Sequence, residues 1–302
     1  MNHELLPTLL VIAGPTAVGK TAAAIEVAKH FHTVVVSADS RQFYREMSIG
    51  TAKPSDEELS AVQHYFINSL SINETYTAGD YEKQCLDLLH DLFKSNNVVV
   101  LTGGSGLFIK AICEGFDAFP DTDAAVRESL NKELDTYGIT YLQEKLKTAD
   151  PEYYQQVDVN NPQRVIRALE VFESSGKPYS SYRKSNLSKR PFRIIKAGLR
   201  MPRPELYNRI NRRVDLMAAQ GLVDEVRSLL PYRHLNALNT VGYSELFDYF
   251  DGKTGMDTAL DLIRQNTRRF AKRQITWFGK DKTITWLDAC DKDLADKIIA
   301  LV

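Results

Sequence analysis

Residues 14–21 read Gly14-Pro15-Thr16-Ala17-Val18-Gly19-Lys20-Thr21, which is the spacing G-x-x-x-x-G-K-T. That spacing does one kind of chemistry: it holds a di- or triphosphate. The glycines let backbone amides turn inward, the helix that follows presents its positive end, and Lys20 adds a full charge. The flanks suit the task, because Leu9-Leu10-Val11-Ile12-Ala13 predicts a buried strand and residues 20–30 a helix. A second group is Asp39, in Ser37-Ala38-Asp39-Ser40, the only acid at the end of an expected strand. Its carboxylate could serve a metal with Thr21, or take a proton from an acceptor. A third segment, Gly103-Gly104-Ser105-Gly106, ends another expected strand without an acid.

A sheet is needed to bring these three together. Strands are predicted at 8–13, 33–38 and 97–102, and helices at 20–30, 56–63 and 79–95. Continuous apolar strands separated by helices argue for a parallel sheet covered on both faces, with its ligand at the carboxyl ends of the strands. The expected class is therefore α/β, a P-loop NTPase-like parallel sheet flanked by helices. Residues 117–190 differ: they read as helical, polar and tyrosine-rich, with Tyr137, Tyr141, Tyr153 and Tyr154. They predict a helical insertion domain. A strand at 193–201 returns the chain to the sheet, helices dominate 203–282, and 283–287 predicts a last strand. The expected division is a core of 1–116 and 191–302 with an insertion of 117–190.

Net charge is -1, yet the charge is segregated. The windows 177–213 and 264–282 hold 19 of the 38 basic residues and only 2 of the 39 acids. Such a distribution predicts a polyanion-binding face on an acidic body, although solvated helix faces give charge runs too. No apolar stretch reaches the roughly 18 residues that span a membrane. No secretory signal pattern opens the chain. Cys85, Cys113 and Cys290 lie far apart, which suggests neither a disulfide framework nor a zinc site and fits a reducing cytoplasm.

Several runs, taken together and in order, resemble the bacterial tRNA dimethylallyltransferases, also called tRNA isopentenyltransferases. They are the loop 14–21, Asp39-Ser40-Arg41-Gln42-Phe43-Tyr44, Ile49-Gly50-Thr51-Ala52-Lys53-Pro54, and Tyr76-Thr77-Ala78-Gly79-Asp80-Tyr81. Then come Gly103-Gly104-Ser105-Gly106-Leu107-Phe108 and Asn161-Pro162-Gln163-Arg164-Val165-Ile166-Arg167. Last are Val241-Gly242-Tyr243 and Arg269-Phe270-Ala271-Lys272-Arg273-Gln274-Ile275-Thr276-Trp277-Phe278. Ser105 stands where many members have threonine, and Asn68 where an aspartate is common.

The resemblance implies transfer of a dimethylallyl group from dimethylallyl diphosphate to N6 of adenosine 37 in tRNAs that read UNN codons. Residues 14–21 would then hold the diphosphate leaving group, with Arg209 and Arg213 reaching toward it and Mg²⁺ near Thr21. Asp39 would accept the proton of the amine, and Thr16, Lys20, Ser105 and Arg213 would complete the catalytic set. The base must leave its stack to reach such a pocket. Contacts to tRNA are expected from Asp39, Ser40, Arg41, Gln42, Ser105 and Arg127. Further contacts are expected from Gln163, Arg164, Val165, Ile166 and Arg167, of which Gln163, Arg164 and Arg167 could instead staple the insertion to the core. The last set is Asn239, Thr240, Val241, Gly242, Tyr243, Ser244, Lys272, Arg273 and Gln274. A cytoplasmic monomer with no membrane contact is expected. A prenyltransferase acting on free AMP or ADP, a small-molecule kinase, and an RNA-binding protein without catalysis remain alternatives.

Overall fold

Leu9, Val11 and Ala13 face one way along their strand, and Leu10 and Ile12 the other, so the strand has no polar face to show to water. It is buried throughout, at the middle of a six-stranded parallel sheet. The computed structural model describes residues 6–117, 119–183 and 188–302. The strands are β1 (Thr8–Ala13), β2 (Val35–Ser37), β3 (His64–Tyr65), β4 (Val98–Gly103), β5 (Arg193–Arg200) and β6 (Ile284–Asp288). Their order is β3-β2-β4-β1-β5-β6. The chain leaves β1 on one side and later crosses to β5 on the other, which puts the ligand crevice at the carboxyl end of β1. The expected strands are all present, and β3 is additional. It has only two residues and no apolar run, so periodicity could not reveal it.

One side of the sheet buries Leu9, Val11 and Leu101 against Tyr81, Leu89, Ile109 and Ile112 of helices Ala78–Leu92 and Gly106–Glu114. The other buries Leu10, Ile12 and Val100 against Ala24 and Val27 of helix Lys20–His30 and Leu206 and Ile210 of helix Arg203–Ala219. A further core gathers Met47, Leu222, Val226, Tyr243, Leu246 and Ile263 around the segment after β2. The fold is the P-loop NTPase-like α/β arrangement.

By its contacts the chain divides into two compact units, Met1–Glu114 with Lys189–Val302, and Gly115–Ser188. Arg190 fastens the returning chain to the first unit. Its guanidinium donates to the carbonyls of Ala111 and Ile112 and pairs with Glu82 at 2.6 Å. The second unit is a helical bundle, Ala124–Tyr137, Ile139–Ala149, Pro151–Gln156 and Pro162–Ser175, with Leu130, Leu142, Leu146, Val165, Ile166 and Leu169 at its centre.

Two local constraints set the loops at the strand ends. At Gly103 a Cβ would lie 2.3 Å from the carbonyl oxygen of Ala38, so only glycine lets β4 end against β2. The segment after β2 is held by Lys53, which donates to the carbonyl of Tyr44 and to Oδ1 of Asn68. Burial lowers the Lys53 amine to about 8, and the distant carboxylates of Glu225 and Glu46 offset this only in part. An amide at position 68 leaves the lysine without a carboxylate at contact distance.

Two measurements follow. Gly103→Ala should cost about 1–3 kcal/mol in urea denaturation, since backbone rather than a mobile side chain must yield. Below pH 8 Lys53 is charged in both folded and unfolded chains, so the cost of burying its charge is complete. Between pH 8 and 10.5 only the unfolded chain keeps the proton, so this group makes stability rise with pH. Asn68→Asp supplies the missing carboxylate. The stability difference between variant and parent should be up to about 1 kcal/mol at pH 7 and shrink by pH 10. A difference that does not change with pH would contradict this assignment.

Candidate active site

Helix Lys20–His30 starts without a cap. Its N-cap is Gly19, at φ 107°, with no side chain to accept the first amides. Helices at Ser55, Thr77, Asp123, Asp150 and Asn161 all have a side-chain oxygen in that role. The free amides of the loop are therefore available to an anion. Ala17 sits at φ 64° and Gly14 at φ 154°, which curls the loop around that point. Lys20 lies across it, its Nζ donating to the carbonyl of Pro15 at 2.8 Å. Burial pulls this amine down to about 8, with Asp39 opposing the shift and Arg213 adding to it. A cation weakened by desolvation gains from an incoming anion.

Two arginines of helix Arg203–Ala219, four residues apart, close the loop from the side. Arg213 donates to Oγ1 of Thr16 at 3.4 Å and to the carbonyl of Ala52 at 3.5 Å. Arg209 lies beside Gly19 and donates to the carbonyl of Val18 at 3.5 Å. Both contacts are long, so the guanidinium groups can turn toward a ligand. The Thr21 hydroxyl makes no hydrogen bond among the described residues. Those residues also contain no cluster of three or more His, Cys, Asp or Glu able to hold a metal unaided.

Asp39 follows β2. Its Oδ1 accepts the amide of Arg41 at 3.0 Å, which orients the carboxylate and leaves acceptor capacity on it. Ser105 follows β4. Its hydroxyl accepts the amide of Ser40 at 2.9 Å and donates to Oγ of Ser40 at 3.1 Å. Thr16, Asp39, Ser40, Arg41, Ser105 and Arg213 border one cavity of about 720 Å³. Asn239, Thr240, Val241, Gly242 and Ser244 line it too, as do Phe270, Arg273, Gln274 and Trp277. Its far wall is apolar, from Ile210, Val214, Met217, Leu222 and Ile263. The arrangement combines donors for an anionic leaving group, apolar side chains for a hydrocarbon tail, and a carboxylate for an acceptor.

Other residues expected at a tRNA contact have side chains committed elsewhere. Val165 and Ile166 are fully buried in the helical unit, where they form the core face of helix Pro162–Ser175. Their side chains are not available to a nucleic acid. Tyr243 is fully buried, and its hydroxyl donates to Oε1 of Glu225 at 2.7 Å. Arg127 and Arg167 both bind Glu170, at 3.2 and 3.0 Å, which is a staple within the helical unit. Arg127 also bonds Oε1 of Gln163 at 3.0 Å. Arg164 is exposed, as is Lys272. Arg41 donates to the carbonyls of Asn236, Ala237 and Asn239. Gln42 donates to those of Thr51 and Ala52. The Gln274 side chain is buried between two loops rather than presented outward.

Glu225 went unnoticed in the sequence. Its carboxylate accepts the amides of Ser48, Ile49 and Gly50 at 2.9, 2.7 and 2.9 Å. This fixes the segment whose Ala52 carbonyl meets Arg213. An acid on a short helix carries no signal for that role. Only the phenol of Tyr243, placed by a motif, hinted at a buried partner.

The chain is similar to known proteins over most of its length. The family model for IPP transferase matches residues 42–281. The chain is 52% identical over 292 residues to a tRNA dimethylallyltransferase of Christiangramia forsetii, covering 96% of this chain and 97% of that one. It is 49% identical over 281 residues to tRNA dimethylallyltransferase 1 of Bacteroides thetaiotaomicron, covering 93% and 91%. Among solved structures, a tRNA isopentenylpyrophosphate transferase of Bacillus halodurans superposes with a TM-score of 0.71 at 36% identity, covering 97% of this chain and 94% of that one. With sequence and fold in agreement over nearly its whole length, the chain belongs to the IPP transferase family, that of the tRNA dimethylallyltransferases.

Proposed function

We propose that this enzyme transfers a dimethylallyl group from dimethylallyl diphosphate to N6 of adenosine 37 in the anticodon loop of tRNAs that read UNN codons. The observation that carries this reading is that Thr16 of the uncapped phosphate loop, Arg213, the Asp39 carboxylate and a set of apolar side chains line one cavity. A kinase could use the same features, and the family match over residues 42–281 favours the transferase.

The reaction breaks the C1–O bond of the allylic diphosphate and forms a C1–N6 bond. Lys20, the loop amides, Arg209 and Arg213 take up the charge that grows on the departing oxygen. The exocyclic amine is a weak nucleophile because its lone pair is delocalised into the ring. Asp39 accepts its proton as the new bond forms, which leaves a neutral secondary amine. Ser105 and Ser40 hold the carboxylate's loop in place. The adenine must be flipped from the anticodon loop at a cost of a few kcal/mol, recovered by stacking on aromatic side chains such as Phe270 and Trp277.

A single free hydroxyl, on Thr21, suits Mg²⁺, which takes few protein ligands and fills its octahedron from substrate phosphates and water. Thr21 and the diphosphate would hold the ion, and it would add charge neutralisation at the leaving group. Exposed Arg164 and Lys272, with cavity-lining Arg273, remain as contacts to tRNA phosphates. No helix among the described residues is long and apolar enough to cross a membrane. We read the enzyme as a monomer that works in the cytoplasm, where its tRNA substrate is found.

Asp39→Ala should lower kcat for dimethylallyl transfer to tRNA by about 10²–10⁴-fold, with little change in the KM of the diphosphate. Lys20→Met should lower kcat and also weaken binding of inorganic diphosphate. Transfer at the parental rate by the Asp39→Ala protein would remove the carboxylate from the mechanism.

A further inference from the structure

Gln274 sits on helix Met256–Phe278 between exposed Arg273 and Ile275, yet it is buried. Its two amide atoms are used on two different loops. Oε1 accepts the backbone N–H of Thr16 at 2.8 Å, and Nε2 donates to the carbonyl of Gly104 at 2.9 Å. The orientation of the amide is set by its partners. Turned over, it would put a donor against a donor and an acceptor against an acceptor. Position 104 is cut to receive it, because a Cβ there would lie 2.4 Å from Nε2 of Gln274.

The connection continues beyond Gly104. The amide of Ser105 donates to the carbonyl of Ala38 at 3.2 Å, and the Ser105 hydroxyl bonds Ser40 twice. Asp39 lies between those two anchored residues. An unbroken path of short hydrogen bonds thus runs from the phosphate loop, through one glutamine, to the backbone that carries the carboxylate. Among the described residues no other side chain bonds both the loop 14–21 and the segment after β4.

We infer that Gln274 is a positioning residue, which sets the separation between the diphosphate on the loop 14–21 and the carboxylate of Asp39. This rests on the reaction assigned above and adds to it a residue whose amide is used on the two loops rather than on either substrate. Attack on an allylic carbon requires the reacting atoms about 3–3.5 Å apart and aligned, and a misplacement of about 1 Å can cost about 10²-fold in rate. Each substrate can still bind its own half of the site when the tie is cut. The signature of the role is therefore a loss in kcat that is not shared by either binding constant.

The test compares Gln274→Leu, which removes both hydrogen bonds at similar volume, with Gln274→Glu, which keeps the acceptor for Thr16 and loses the donor to Gly104. Transfer is measured at saturating tRNA and dimethylallyl diphosphate. Binding of inorganic diphosphate and of unmodified tRNA is measured separately by calorimetry. The expected result for Gln274→Leu is a kcat about 100-fold below the parent, with both binding constants within about threefold. Gln274→Glu should fall in between. Gly104→Ala, which pushes the same amide away from the other side, should reproduce the loss and carries the test if Gln274→Leu does not fold. Weakened tRNA binding with kcat unchanged would make Gln274 a tRNA contact and overturn the inference. So would a kcat within threefold of the parent in folded Gln274→Leu. Absence of transfer by the parent protein would instead overturn the assigned reaction, and the positioning role with it.

Discussion

Everything in the site is arranged around positive charge that has no protein partner at close range. Helix Lys20–His30 begins with free amides, and Lys20 rests on a carbonyl rather than on a carboxylate. The two arginines beside it reach only carbonyl and hydroxyl oxygens. Several basic groups elsewhere are paired: Lys196 with Asp281, Arg190 with Glu82, and Arg264 with Asp215. Concentrated, underpaired charge is costly to assemble, and here it is enclosed enough to lower the Lys20 amine to about 8. The diphosphate of the proposed substrate would offset that cost. The fold supplies the rigidity to hold the arrangement while the ligand is absent. A fully buried central strand, a glycine that lets β4 end on β2, and Glu225 clamped on three amides leave the loops little freedom.

Much of this was legible in the residues because the signals are local. The glycine-lysine loop, the apolar runs that became β1, β2 and β4, and the polar residues at their ends are all read within a few positions. β3 was not legible, since two residues joined to β2 make no pattern. The charge segregation was read correctly as a count and incompletely as a surface. Lys196 and Arg190 lie in the basic windows but spend their charge on acids from outside those windows or at their edge. Arg127 and Arg167, expected at tRNA, both pair with Glu170, and for Arg127 that partner lies 43 residues away.

The least legible residue is the one with the longest reach. Gln274 meets Thr16 and Gly104 across separations of 258 and 170 residues, so no window of sequence contains its role. Val165 and Ile166 show the opposite case. Their spacing with Leu169 is that of a helix core face, and burial follows from it more directly than an RNA contact does. A motif shared within a family thus mixes groups that touch the substrate with groups that hold those groups in place. Only coordinates separate the two.

The most direct measurement is transfer of label from radioactive dimethylallyl diphosphate, with Mg²⁺, into unmodified tRNA bearing A36-A37-A38. Parallel reactions contain AMP or the same tRNA with A37→G. The account predicts label in the first tRNA alone, recovered after digestion as an N6-substituted adenosine. Label on AMP, or equal label on the A37→G tRNA, would contradict it.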